Sequence, residues 1–339
     1  MASHRRPKQP SRARVTVLTT AAAAAVVLGG NSAQAAPAKP SKGEVKEKVD
    51  KLHEQAEQAT EKYNGAKEKQ EKLEKEIDAL QDNVARGQDD LNELRDAIGM
   101  AAAAQYRSGT IDSSMQLFLS ADPDDYLDKA STLDQLSNQQ VEALAEIQDK
   151  QRELTQQRQE AATKLDDLAE TREELGKKRK EVQAKLAEAQ KLLNSLTAAE
   201  RAKMVQEEAA DAAKSAGLTG GKAASGRASA AFAAAQTKIG SQYVYGATGP
   251  TTFDCSGLTS WAYGQAGVGL PRTSQAQASY GTRLSMDQLQ VGDLVIFYSD
   301  LHHVGLYAGN GQVLHAPRTG TVVRYESINN MPFQFGVRV

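Results

Sequence analysis

From Val45 onward the apolar residues return in alternating steps of four and three: Val49, Leu52, Ala56, Ala59, Tyr63, Ala66, Leu73, Ile77, Leu80, Val84, Leu91, Leu94 and Ile98. Only Gln70 and Gly87 interrupt the series. A seven-residue apolar repeat with Glu and Lys between its rungs fits a helix that pairs along its length, and little else. A second, weaker series runs through Leu144, Ile147, Leu154, Ala161, Leu165, Leu168, Leu175, Val182, Leu186, Ala189, Leu193 and Leu196, with Gln151, Arg158, Arg172 and Arg179 at seam positions. Between the two, Gly109 and Pro123 break the pattern and Met115, Leu117, Phe118, Leu119 and Tyr126 form an apolar group. The expected structure is an antiparallel coiled-coil arm over residues 44–210, with a helical tip near 99–131. Helices of about 55 residues would reach roughly 80 Å at about 1.5 Å per residue. The tip either packs on the arm or docks another protein. His53, beside the seam of a highly charged helix, is expected at the solvated surface.

Other segments set the compartment. Arg5, Arg6, Lys8, Arg12 and Arg14 precede an apolar run from Val15 to Leu28 and then "NSAQAAPAKP". That order predicts a signal peptide over 1–35 and a secreted, extracellular or cell-wall-associated protein, periplasmic where there is an outer membrane. Residues 36–43 read as a short disordered segment. The apolar run is shorter than the ~20 residues a spanning helix needs, and no transmembrane segment is expected after the leader is removed. The whole chain carries a net charge of −2; without the five basic leader residues it is near −7, and residues 36–226 hold about −9 of that. Such an acidic part excludes nucleic acid as its partner. Residues 211–226, rich in Ala, Gly and Ser, are expected to form a flexible linker.

Residues 227–339 contain the one cysteine of the chain, Cys255, in "TTFDCSGLTSW". An unpaired cysteine in an exported protein points to intermolecular bridging or to a reactive thiol. Helical patterns at 228–240 and 255–267 are followed by strand-like runs at 293–298, 303–308, 312–316, 321–326 and 333–339, an α+β order. Cys255 then opens a helix capped by Asp254, where the helix dipole favours the thiolate. In "HVGLYAGNGQVLH" a three-residue connection at "GNG" places His315 opposite Gly305, diagonal to His303 and on its face; a two-residue turn would place the histidines on opposite faces. One imidazole would then take the thiol proton while the other orients it. His302, on the opposite face by alternation, has no catalytic role in this reading. No metal is expected, since the Cys255, His303 and His315 spacings match no zinc pattern, and no cofactor.

In order and spacing, "YVYGATGPTTFDCSGLTSWAY", "LPRTSQAQ", "VGDLVIFY", "HHVGLYAGNG" and "VLHAP" resemble the NlpC-type cysteine peptidases of bacterial cell walls. The resemblance implies an α+β papain-like catalytic domain, with Cys255 as nucleophile, His303 as base and His315 as orienting residue. It implies substrate contacts from Tyr243, Asp254 and Ser256, and peptidoglycan stem peptides as substrate, commonly at the bond from D-glutamate to a diamino acid. Arg272 is either a carboxylate clamp or a surface charge, and Asp254 also reads as a helix cap alone. Tyr245-Gly246-Ala247 departs from the more usual Trp-Gly-Gly but keeps an aromatic wall. The arm, through "AAQYRSG" and "LFLSADPDDYLDK", resembles those of PcsB-like division hydrolases, which implies recruitment by a membrane complex of the FtsE/FtsX type.

The reading is a secreted peptidoglycan endopeptidase working through an acyl-enzyme. Alternatives are an amidase or acyl transferase on the same scaffold, or a scaffold whose arm activates other hydrolases. The arm is also a candidate for occluding the active site until a partner binds the tip.

Overall fold

A computed structural model describes residues 41–107, 115 and 123–339 of the chain. The leader and most of the residues between the two heptad series lie outside the described residues.

Helix α1 spans Lys42–Arg107, α2 Pro123–Asn194 and α3 Ala198–Ala216. Each start has a local cause. The Glu44 carboxylate accepts from Ser41 N–H at 2.7 Å while Ser41 Oγ accepts from Glu44 N–H. Thr197 and Glu200 form the same reciprocal box at α3, and Pro123 sits where a missing N–H costs nothing. Helix α1 therefore begins inside the stretch 36–43 that was expected to be disordered.

The long helices run antiparallel. Leu91 meets Ile147 and Leu154, and Leu73 and Ile77 meet Leu168. Near the base, Val45 and Val49 pack on Leu196 and Met204. Ion pairs flank the seam: Lys164 to Glu76 at 2.7 Å and Arg172 to Glu74 at 2.9 Å. Of the polar seam positions, Arg172 thus reaches sideways to a carboxylate on α1 and Arg158 to the Gln88 amide oxygen, whereas Leu144 and Leu165 are half exposed.

The C-terminal domain contains α4 (Gly226–Gln236), α5 (Cys255–Gln265) and α6 (Ser274–Gln277). Its strands are β1 (Thr282–Leu284), β2 (Leu294–Phe297), β3 (His303–Gly309), β4 (Gln312–His315), β5 (Arg324–Ser327) and β6 (Phe333–Arg338). They form one antiparallel sheet in the order β1-β6-β2-β3-β4-β5, so the last strand enters between the first two. The sequence reading has no counterpart to β1. Alternation sends Leu294, Ile296, Val304, Leu306 and Leu314 into the core with Phe232, Leu258 and Tyr263, and Val295, Phe297 and Val313 into a smaller cluster. The result is the α+β papain-like architecture expected of this part of the chain.

The stretch 211–226 differs from its expected form as a flexible linker. Helix α3 continues through Ala216, in keeping with the helix propensity of its alanines. Beyond it, Gly220 N–H donates to Ala308 O, Val291 N–H to Lys222 O and Ala224 N–H to Val291 O. Small side chains let this backbone lie against the sheet, and hydrogen bonds hold it there. Among the described residues, no helix is long and apolar enough to cross a membrane.

Candidate active site

Cys255 is the first residue of α5 and fully buried. Asp254 caps the helix, its Oδ1 accepting from Gly257 N–H at 2.7 Å. Gly257 is required there, since a Cβ would run into the Ala247 carbonyl oxygen and lie 2.8 Å from Asp254 Oδ1. The cap does more than end a helix. Arg272 forms a two-pronged pair with the Asp254 carboxylate at 2.5 and 3.0 Å, and Gly246 N–H donates to it at 2.9 Å. Arg272 is therefore a largely buried counterion of Asp254, neither a surface charge nor a free clamp.

The histidines reach one another through an irregular hairpin. Asn310 and Gly311 make a two-residue turn at φ 49° and 71°, which alone would put His303 and His315 on opposite faces. A bulge between Tyr307 and Gly309 shifts the register by one residue and returns them to the same face. His303 Nε2 lies 2.8 Å from His315 Nδ1. Gly305 lies between the two histidines in the sheet, and a Cβ there would collide with Val313 and stand 3.0 Å from the His315 Cβ. The Cys255 sulfur and a ring nitrogen of His303 lie within 4.8 Å of each other. His302 is buried, pairs through Nδ1 with Asp300 at 2.5 Å and stacks on Tyr298; its carbonyl oxygen is 3.8 Å from the Cys255 sulfur. Tyr243 is buried beside the thiol.

The feature absent from the sequence reading is α1 itself, whose polar side chains fill this site. Glu57 pairs with His303 Nδ1 in close contact. The Glu61 carboxyl receives Ser256 Oγ–H at 2.8 Å and Ser274 N–H at 2.7 Å, and its Oε1 is 3.8 Å from the Cys255 sulfur. Asn64 donates to Asp254 Oδ2 at 3.0 Å and accepts from Arg272 at 3.1 Å. Tyr63 meets Tyr245 edge-on, so the aromatic wall is also covered. His53 corrects the expectation of a solvated residue: it is 7% exposed, and burial, with Arg318 nearby, lowers its pKa to about 4. A single sequence shows no signal for this stripe, because His53, Glu57, Glu61 and Asn64 look like one face of a solvated helix.

The electrostatics follow from the plug. Burial, then the charges of Glu61, Glu57 and Asp254, push the Cys255 thiol well above its ordinary range. That reverses the expected effect of the helix dipole, because a dipole end is outweighed by carboxylates at close range in a dry site. Although burial works against it, Glu57 raises the pKa of His303. Burial and Asp254 raise that of Glu61 to about 7. In this state the Glu57 carboxyl, and not the Cys255 sulfur, is the partner of His303 Nδ1. Among the described residues, Glu57, Cys255 and His303 also bring oxygen, sulfur and nitrogen close enough to share a cation, but Glu57 and His303 contact each other directly.

A helix-borne thiol facing two sheet-borne histidines on an α+β scaffold is the papain-like arrangement. Residues 240–337 match the NlpC/P60 family, and the C-terminal part of the chain is an NlpC/P60 domain. A probable endopeptidase of Corynebacterium glutamicum is 57% identical over 105 residues, covering 31% of this chain and 50% of that one. The probable endopeptidase p60 of Listeria monocytogenes is 48% identical over 100 residues, 29% of this chain and 20% of that one. The solved NlpC/p60 domain of peptidoglycan hydrolase SagA is 36% identical over 33% of this chain and 98% of that one, with a TM-score of 0.32. The chain thus spans half or less of the length of these two curated relatives.

Proposed function

We propose that the chain is a secreted cell-wall hydrolase that cleaves a peptide bond in peptidoglycan stem peptides, from D-glutamate to a diamino acid. The observation that carries this reading is the line Cys255, His303, His315 beside a pocket that holds a carboxyl group. Cys255 is the nucleophile, His303 the base and His315 the orienting residue. The thiol gives its proton to His303 Nδ1, the sulfur attacks the scissile carbonyl, and the imidazolium returns the proton to the leaving amine. Water then releases the acyl group with His303 as base. The Cys255 backbone N–H and the Tyr243 hydroxyl are suited to the oxyanion. Ser256 Oγ and Ser274 N–H, which hold the Glu61 carboxyl, are suited to a carboxylate of the stem peptide in its place. The relatives' description as probable endopeptidases supports the bond class.

The same site favours a latent enzyme. Glu57 occupies the place of the attacking thiolate as counterion of His303, and Glu61 and Asn64 cover the polar groups of the cleft. Activity then requires α1 to leave. The exposed Met100, Tyr106 and Met115 at the far end of the arm support a protein partner there, for which a membrane complex of the FtsE/FtsX type is the proposed class.

The test is release of peptide fragments from purified cell wall, read by mass spectrometry. Cys255→Ala and His303→Ala should each abolish release, and full activity in Cys255→Ala would remove the thiol mechanism. Shortened stems are expected; free lactyl groups on muramic acid would identify an amidase.

A further inference from the structure

Beyond His315, on the side away from the thiol, stands a carboxylate that the mechanism has not used. His315 Nε2 is 3.3 Å from Glu326 Oε2, an atom that also accepts from Arg324 Nη2 at 3.1 Å. Asn330 donates to Glu326 Oε1 at 3.1 Å. Glu326 and Arg324 lie on β5, next to β4, and the group opens on a cleft of about 1160 Å³ between the arm and the sheet.

We propose that Glu326 is a positioning residue that fixes the protons on both histidines, so that His303 presents a lone pair, not an N–H, to the Cys255 thiol. The inference rests on the proposed thiol mechanism and names a fourth member of its relay. An ionised carboxylate only accepts. His315 must then carry its proton on Nε2, which leaves a lone pair on Nδ1. His303 Nε2, at 2.8 Å from that lone pair, must be the donor. Neutral His303 therefore has its remaining lone pair on Nδ1, the atom that Glu57 contacts in the closed state.

Without Glu326, two neutral rings in contact have a second arrangement with every proton reversed. In that arrangement His303 offers Nδ1–H to the thiol and is no base at all. The groups around His315 favour the ionised form of Glu326. Although burial opposes it, the hydrogen bond from His315, with the charge of Arg324 and the hydrogen bond from Asn330, holds the Glu326 carboxyl far below its usual range. Burial in turn keeps His315 neutral by lowering its pKa, against the pull of Glu326 and with the help of His303 and Arg324. When His303 takes the thiol proton, its charge is opposed through the neutral His315 ring by Glu326, and no proton needs to move beyond His303.

The experiment uses the full chain carrying Glu57→Ala and Glu61→Ala, so that the thiol is open to reagent. Nitrogen-15 spectra of the histidine rings report the tautomers, and the rate of Cys255 alkylation by iodoacetamide against pH reports the thiolate. In the parent, His315 should show the Nε2–H form. Glu326→Ala should mix the tautomers and slow alkylation near neutral pH about tenfold, the equivalent of one pKa unit. Glu326→Gln, whose amide oxygen still accepts, should keep the tautomer and lose part of the rate. Unchanged tautomers and an unchanged pH profile in the Ala variant overturn the proposal. If that variant does not fold by circular dichroism, an unchanged profile in the Gln variant overturns it equally. An altered profile in a parent that releases no peptide from cell wall leaves the relay standing and removes the hydrolase reading instead.

Discussion

Two stretches of α1 obey different rules although they belong to one helix. Along the distal stretch, burial tracks the heptad: Leu73, Ile77 and Leu91 are inside and the charged residues between them lie at the surface in side-by-side pairs. Along the proximal stretch, His53, Glu57, Thr60, Glu61 and Asn64 are buried with the apolar residues. Apolar burial needs only a second greasy surface, here α2. Polar burial is stable only where each group finds a specific partner: Thr60 donates to Ala56 O within α1, whereas Glu57, Glu61 and Asn64 find theirs on the catalytic domain. The distal contact is built to persist, whereas the proximal one resembles an enzyme–ligand complex and can be exchanged for a ligand.

The largest effect should come from breaking the proximal contact. Removing one member of a buried ion pair costs about 3–5 kcal/mol, which is a hundredfold or more in the ratio of closed to open arm at ~1.4 kcal/mol per decade. Glu57→Ala together with Glu61→Ala should therefore raise the rate of peptide release, and of Cys255 alkylation, by about two orders of magnitude. Alkylation as slow as in the parent would mean that something other than these carboxylates closes the site.

Part of this was legible in advance. Cys255 behind Asp254, with Gly257 two residues on, announces a capped helix that opens on the thiol, because capping is chemistry between neighbours in sequence. The histidine hairpin is a partial case: "GNG" suggests the register, but the two-residue turn and its compensating bulge emerge only from the folded sheet. Glu57 and Glu61 lie nearly two hundred residues or more from His303 and Ser256 in the chain. Nothing in the composition of a charged helix separates a stripe that docks from a stripe that is solvated. Glu326 is hidden for a related reason, since its role depends on β5 lying beside β4. The small-residue stretch after Ala210 misled because composition reports side chains, and there the backbone makes the contacts.

A second, graded effect concerns pH. Glu61 binds its proton in the closed state up to a pKa of about 7, against an ordinary value of 4.5. Released into water, it would lose that proton nearer the ordinary value. The closed state thus holds a proton that the open state gives up, so closure is favoured below pH 4.5 and loses that advantage as pH rises towards 7. His303, with its raised pKa in the closed site, acts in the same direction. The groups facing Glu61 are Asp254, Arg272, Cys255, Ser256 and Ser274. Alkylation of the parent, divided by that of the opened variant, should rise across this window, and Glu61→Gln should flatten the rise. A ratio that falls with pH would contradict the sign.

The smallest effect on activity is expected where the stability effect is plain. Leu154 is 3% exposed and packs between Leu91 and Ile147, with Gly87 so near that a Cβ there would stand 2.8 Å from its side chain. Leu154→Ala removes the contact and leaves a cavity, at a cost of about 2–5 kcal/mol to the distal seam. The melting of helical signal should shift downward accordingly. Peptide release and alkylation should stay at the closed level, because Glu57, Glu61 and Asn64 are held by the catalytic domain and not by α2. If Leu154→Ala activates the enzyme, the two stretches are mechanically coupled, and α1 transmits strain from the distal seam to the thiol as a lever would. The contrast between a persistent seam and an exchangeable plug would then give way to a single device. Since the two outcomes differ in activity and share the same loss of helix stability, measuring both on one variant decides between them.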